Sequence, residues 1–141
     1  MSFAEPTRSL VEASPAARIL RTDIYDRKPV PSWSKGRVCL LGDAAHPTTP
    51  NLGQGGCMAI EDAVVLAHCL AKSARRADAL HEYEKRRVER TTKIVNASWQ
   101  FGRLAQLEGR VVTWLRDLAL RATPDSQIRA RLRENAHFSL D

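Results

Sequence analysis

No stretch of this sequence is apolar for the roughly 18 residues that a membrane-spanning helix requires, so the sequence gives no sign of a membrane protein. The opening MSFAEPTRSLVEA has no basic segment leading into an apolar one, so no secretory signal is read there and a cytoplasmic protein is expected. Cysteine is scarce: Cys39, Cys57 and Cys69 form an odd set without a CxxC pair, which argues against a disulfide framework or a zinc site and for reduced structural thiols. His68, His81 and His137 show no metal-ligand spacing, so no metal is expected. The seven glycines include neither a GxGxxG fingerprint nor a Walker loop. The chain is basic, with net charge +6 and pI near 9.7, but no aromatic ladder accompanies the run KRRVERTTK (Lys85 to Lys93). Such a run reads as a solvated helix face, and no nucleic-acid partner is expected.

What is present suits one globular domain of 141 residues, 43% hydrophobic and 27% charged. Phe3 to Ala13 reads as a short helix stopped near Ser14-Pro15. ARILRTDIYDR (Ala17 to Arg27) alternates and predicts a strand with one face half exposed, and KPVPSWSKG then predicts a loop. RVCLLGD (Arg37 to Asp43), a short apolar run ending in Gly-Asp, predicts a strand buried on both faces.

From Gly55 the sequence is helical and apolar almost all round, which predicts a helix enclosed by protein. After a turn at Ser73 to Ala77, a long helix is expected from Asp78 to Leu107, with a lean stripe of Leu80, Tyr83, Thr91, Ile94, Ser98, Phe101 and Ala105. Gly109 interrupts it, VVTWLRDLALRA forms an amphipathic helix halted at Thr123-Pro124, and Ser126 to Asn135 makes a last short one. About two strands beside four or five helices do not make a self-sufficient sheet.

The chemistry concentrates between Leu40 and Ala63, in LLGDAAHPTTPNLGQGGCMAIEDA. Asp43 follows an apolar strand, the position at which α/β sheets meet ligands, and its ionised carboxylate accepts hydrogen bonds only. A turn or N-cap Asp is the plainer alternative. Pro47 and Pro50 stiffen the loop, and Gly53, Gly55 and Gly56 remove side chains from the approach to a helix start, where N–H groups favour negative charge. A flat, electron-rich ligand lying on backbone fits this order of residues.

The run GDAAHPTTPNLGQGGCMAIEDA resembles the second flavin-binding motif of the FAD-dependent aromatic hydroxylases, the single-component flavoprotein monooxygenases with the p-hydroxybenzoate hydroxylase fold. ILRTDIYDRKPVPSW and YEKRRVERTTKIVNASWQFGRL look like the salicylate hydroxylase, urate hydroxylase and zeaxanthin epoxidase branch, so the resemblance covers about Ala17 to Leu107. It implies an α/β fold, here an α+β fragment: the C-terminal part of an FAD/NAD(P)-binding, Rossmann-like monooxygenase, mostly helical with two strands. It also implies FAD as cofactor, NAD(P)H as co-substrate, O2, and a small aromatic or cyclic substrate to be hydroxylated or epoxidised.

By the same resemblance, Gly42 and Asp43 carry the aspartate that bonds the ribityl chain. Pro50 packs near the reacting edge of the flavin. Asn51, Leu52, Gly53, Gln54, Gly55 and Gly56 form the loop over the ring, and Gly56 with Cys57 opens the helix facing the pyrimidine edge. His46 is a structural part of the motif, and Glu61 and Asp62 read as acidic residues suited to the start of the helix dipole.

The family's GxGxxG half and its middle arginine-bearing DG motif are absent from this sequence. The expected organisation is therefore residues 1–36 as a remnant of a substrate-domain strand and linker, 37–72 as the FAD-binding strand-loop-helix, and 73–141 as C-terminal helices. Such a chain is expected to be incompetent alone and to need a chain or segment supplying the GxGxxG half. The alternative is a non-catalytic helical module that self-associates through unpaired strand edges, as a homo-oligomer.

Overall fold

The computed structural model describes residues 4–140, so Phe3 lies outside the described residues. The elements are α1 (Thr7–Ala13), β1 (Ser34–Lys35), β2 (Val38–Cys39), α2 (Gly55–Lys72), α3 (Arg76–Ala105), α4 (Arg110–Ala122) and α5 (Asp125–Ala136), with 3-10 turns at Gly42–Ala44 and Pro50–Leu52. The chain is thus mostly helical with two strands, as expected.

Its centre is the α2–α3 pair. α2 begins just after Gly53, which has left-handed φ, and ends where Ser73 turns extended. α3 runs for 30 residues to Gln106. Met58, near the start of α2, packs with Ile94 and Val95, while Val65 and Cys69 pack with Ala79 and Tyr83, so the two helices lie antiparallel. Trp33 closes one end of this seam and Leu52 the other.

The strands differ from expectation. β1 and β2 form a minimal antiparallel hairpin, Ser34 opposite Cys39 and Lys35 opposite Val38. The apolar run from Arg37 is therefore not a strand buried on both faces: only Val38 and Cys39 are strand, and Val38 is 66% exposed. Ala17 to Arg27 forms no strand either; after a turn at Ala16–Arg18 it runs exposed and without a partner strand, and Arg27 at its end donates to Ala44 O and Ala45 O. Alternation makes a segment fit for a sheet, but only a neighbouring backbone makes it a strand, and none of the described residues offers one. The α2 expectation is corrected as well: one face is covered, by Met58, Asp62, Val65 and Cys69, while Ile60, Val64 and Leu70 are exposed. In α3 the covered stripe runs through Ala79, Tyr83, Arg87, Thr91, Ile94 and Ser98, and Phe101 and Ala105 face outward.

Candidate functional site

Gly42 turns the chain out of β2 with φ +58, close enough to α2 that a Cβ there would stand 3.2 Å from that of Ala59. This turn delivers Asp43 to the surface, exposed and with no hydrogen-bond partner among the described residues. The loop that follows is tied to α3. Thr49 Oγ1 lies 2.9 Å from Ser98 Oγ, and the Ser98 hydroxyl donates to Thr49 O at 2.8 Å. The Asn51 amide donates to Ser98 O at 3.0 Å and to Thr49 Oγ1 at 2.9 Å. Gly102 leaves room for this contact, since a Cβ on it would displace the Asn51 amide. Leu52 packs into the Met58–Ile94–Val95 cluster. The side chains of Asn51 and Leu52 therefore brace the loop against α3, leaving Pro50, Gly53, Gly56 and Cys57 exposed at the surface, as Asp43 is.

The first turn of α2 has no side-chain cap from Gln54; the first helical bond is Met58 N–H to Gln54 O at 2.9 Å. The N–H groups of Gly55, Gly56 and Cys57 have no acceptor among the described residues, and no atom lies within 4 Å of where a Gly56 Cβ would stand. An exposed carboxylate thus follows a glycine packed against α2, and the first N–H groups of that helix are uncapped: an acceptor for hydroxyls and donors for an electron-rich group.

Behind this surface lies a cluster that the sequence did not reveal. Asp62, fully buried, accepts the Gly42 N–H at 3.0 Å, His46 Nε2–H at 2.6 Å and Arg87 Nε–H at 2.7 Å. Arg87, 1% exposed, also reaches Glu61 at 2.8 Å and donates to Met58 O at 3.3 Å. Arg90 forks onto both oxygens of Glu61, 2.8 Å each. Burial raises the Asp62 carboxyl, but hydrogen bonds from His46, Arg87 and Gly42 outweigh it and hold it below the usual carboxylate range. Glu61 is likewise held low against its burial by Arg90 and Arg87. Burial, with Asp62 nearby, pushes the Tyr83 phenol well up, so it stays neutral and donates to Leu40 O at 3.4 Å.

Glu61 and Asp62 are therefore not first-turn residues serving the helix dipole: they sit in the second turn, paired with arginines. KRRVERTTK is not wholly a solvated face, because Arg87 and Thr91 within it are buried. His46 is structural, its Nδ1 buried without a partner among the described residues. Cys39, Cys57 and Cys69 are free thiols, and burial raises the pKa of Cys39 and Cys69.

A family model described as "FAD binding domain" matches residues 15–98, a span that holds β1, β2, the loop, α2 and most of α3. The chain belongs to this family. Aurachin C monooxygenase/isomerase of Stigmatella aurantiaca is 46% identical over 134 residues, covering 95% of this chain and 35% of that protein. FAD-dependent urate hydroxylase of Klebsiella pneumoniae is 44% identical over 93 residues, 66% of this chain and 24% of that one. The crystal structure of Klebsiella pneumoniae HpxO complexed with FAD and uric acid superposes with a TM-score of 0.84 at 34% identity, over 94% of this chain and 34% of HpxO. The fold is thus that of an FAD-binding flavoprotein monooxygenase, and FAD is the family's cofactor. The chain spans about a third or less of the length of these relatives.

The residues present suit FAD on grounds of this structure alone. The free Asp43 carboxylate can accept hydrogen bonds from hydroxyls such as those of a ribityl chain, and the uncapped N–H groups with the open space at Gly56 can be approached by a planar, electron-rich ring. Among the described residues no helix is long and apolar enough to cross a membrane.

Proposed function

We propose that this chain supplies the flavin-facing part of a flavin-dependent monooxygenase acting on a small aromatic or cyclic substrate. Residues 37–72 form the cofactor-facing segment, 73–141 the helices that brace it, and 1–36 a strand and linker belonging to the substrate side. The observation that carries the reading is a free Asp43 carboxylate on a turn tied to α2 through Gly42, together with the uncapped N–H groups of Gly55, Gly56 and Cys57. Asp43 holds the ribityl hydroxyls, the α2 N-terminus stabilises negative charge at the pyrimidine edge, and Pro50, Gly53 and Gln54 shape the backbone over the ring. The Gly42 turn and the braced Asn51–Leu52 corner keep these groups in register. When bound, FAD supplies the redox chemistry, accepting reducing equivalents from NAD(P)H and activating O2.

The ADP half of the cofactor calls for a GxGxxG segment, which this sequence lacks. We therefore place a polypeptide carrying that segment among the partners, and turnover by this chain alone is not expected. The test is a titration with FAD, followed by flavin fluorescence, with and without a polypeptide carrying the GxGxxG half. Saturable binding supports the reading; a folded chain that binds FAD in neither mixture rejects it. The second reading, a self-associating helical module, is favoured by the exposed apolar residues Val111, Trp114, Leu115 and Leu118 of α4. It requires concentration-dependent oligomers without flavin binding.

A further inference from the structure

Of the residues assigned to the cofactor, the buried charge cluster hydrogen-bonds Gly42, and it holds the exposed turn from behind. Asp62 divides its two oxygens: Oδ1 faces Arg87 of α3, and Oδ2 takes both the Gly42 N–H and His46 Nε2–H. Gly42 is itself buried and immediately precedes Asp43, so without Asp62 its N–H would be an orphan in the interior. Arg87 is committed in turn to three groups in the first two turns of α2: Asp62, Glu61 and the Met58 carbonyl. A planar guanidinium fork spans such a set with fixed geometry, which the point charge of an ammonium does not.

We propose that Asp62 is a positioning residue for cofactor binding: carried on α2 and locked by Arg87, it fixes the Gly42 turn that presents the Asp43 carboxylate beside the α2 N-terminus. The proposal rests on the reading of Asp43 as a ligand of the cofactor. Its physical content is that one side chain sets the distance between the two halves of the ligand surface. Asp43 comes from the turn and the N–H groups come from α2, and Asp62 is the hydrogen-bonded link between them. A shift of about 1 Å in such a link is enough to spoil a site of this kind. Asn at this position keeps the size, but its amide turns a donor toward Arg87, His46 or the Gly42 N–H, where three donors already converge.

The experiment compares the full chain with Asp62→Asn, measuring FAD affinity by flavin fluorescence and amide hydrogen exchange at Gly42, with far-UV circular dichroism to report folding. The expected result is a slowly exchanging Gly42 amide in the wild type. In folded Asp62→Asn, that exchange is about tenfold faster or more, and FAD binds about tenfold more weakly or worse. Unchanged FAD affinity in the variant overturns the proposal. So does a Gly42 amide in the wild type that exchanges as in a free peptide, a result that needs no variant to fold. If the wild type binds no FAD with or without a GxGxxG partner, the functional reading fails separately. Gly42 exchange then decides the linkage: faster in the variant upholds it, and equal rates refute it.

Discussion

α3 and α4 are both amphipathic helices, and they behave in opposite ways. α4 carries the cleaner apolar stripe and buries none of it, with Trp114 62% exposed. α3 carries a leaner stripe broken by Arg87, Thr91 and Ser98, and those polar residues are among its most buried. An apolar face shows only that a helix can be covered, whereas a charge inside the stripe that meets its counterpart on the facing helix shows what covers it. Asp62 on α2 and Arg87 on α3 are such a pair, and the fold is well determined where they lie.

Breaking that pair has the largest expected effect. Arg87→Met leaves the buried Asp62 without its arginine and Glu61 with Arg90 alone, at a loss of about 3–5 kcal/mol. Chemical denaturation measures it, and a loss below about 1 kcal/mol contradicts the picture of a charge-locked seam.

Acid probes the same cluster without mutation. The folded pKa values of Asp62 and Glu61 lie below their ordinary values. Their stabilisation is therefore complete above the unfolded values of about 4 and is lost as pH falls through the lower folded values. Melting temperatures followed from pH 6 downward are expected to fall in that window, with the fall reduced in Arg87→Met.

The hairpin end of the seam gives a smaller effect. Glu84 Oε2 accepts from Trp33 N–H at 2.9 Å, Ser34 N–H at 2.8 Å and the Ser34 hydroxyl at 2.6 Å. Glu84→Gln weakens three charge-assisted bonds at once, and about 1–2 kcal/mol is expected in the same denaturation assay.

The comparison is sharpest where least is expected. Leu115→Glu on α4 is predicted to change the stability of the monomer by no more than about 0.5 kcal/mol, because its side chain already faces outward. A loss that grows with protein concentration shows that a second copy covers the α4 face, as the self-associating reading requires.

Much of this was legible in the sequence. The helical period marks α2 and α3 to within a few residues, and the order of Asp43, prolines and glycines marks the exposed turn and the uncapped helix start, because turn chemistry and helix starts are local properties. The charge cluster was not read, although a signal was present. The stripe steps from Tyr83 to Thr91, and the position between them at helical spacing is Arg87; on α2 the spacing Met58, Asp62, Val65, Cys69 puts an acid in the corresponding stripe. Two opposite charges within two facing apolar stripes predict a buried pair, but only once the helices are known to face each other, and that is a tertiary fact. The strand expected at Ala17 to Arg27 failed for the complementary reason: alternation is local, whereas pairing needs a second backbone. Asn51, read by resemblance as part of the loop over the flavin ring, has its side chain on α3, a direction that no spacing encodes.

The central claim is that the Asp43 turn and the α2 N-terminus form one cofactor surface, and flavin titration of the wild type beside Asp43→Ala tests it most directly. Asp43 makes no hydrogen bond with any described residue, so the substitution should leave folding stability within about 0.5 kcal/mol. Saturable FAD binding by the wild type, weakened about tenfold or more in an equally stable Asp43→Ala, is the predicted result. Equal FAD affinity in the two proteins would contradict the account.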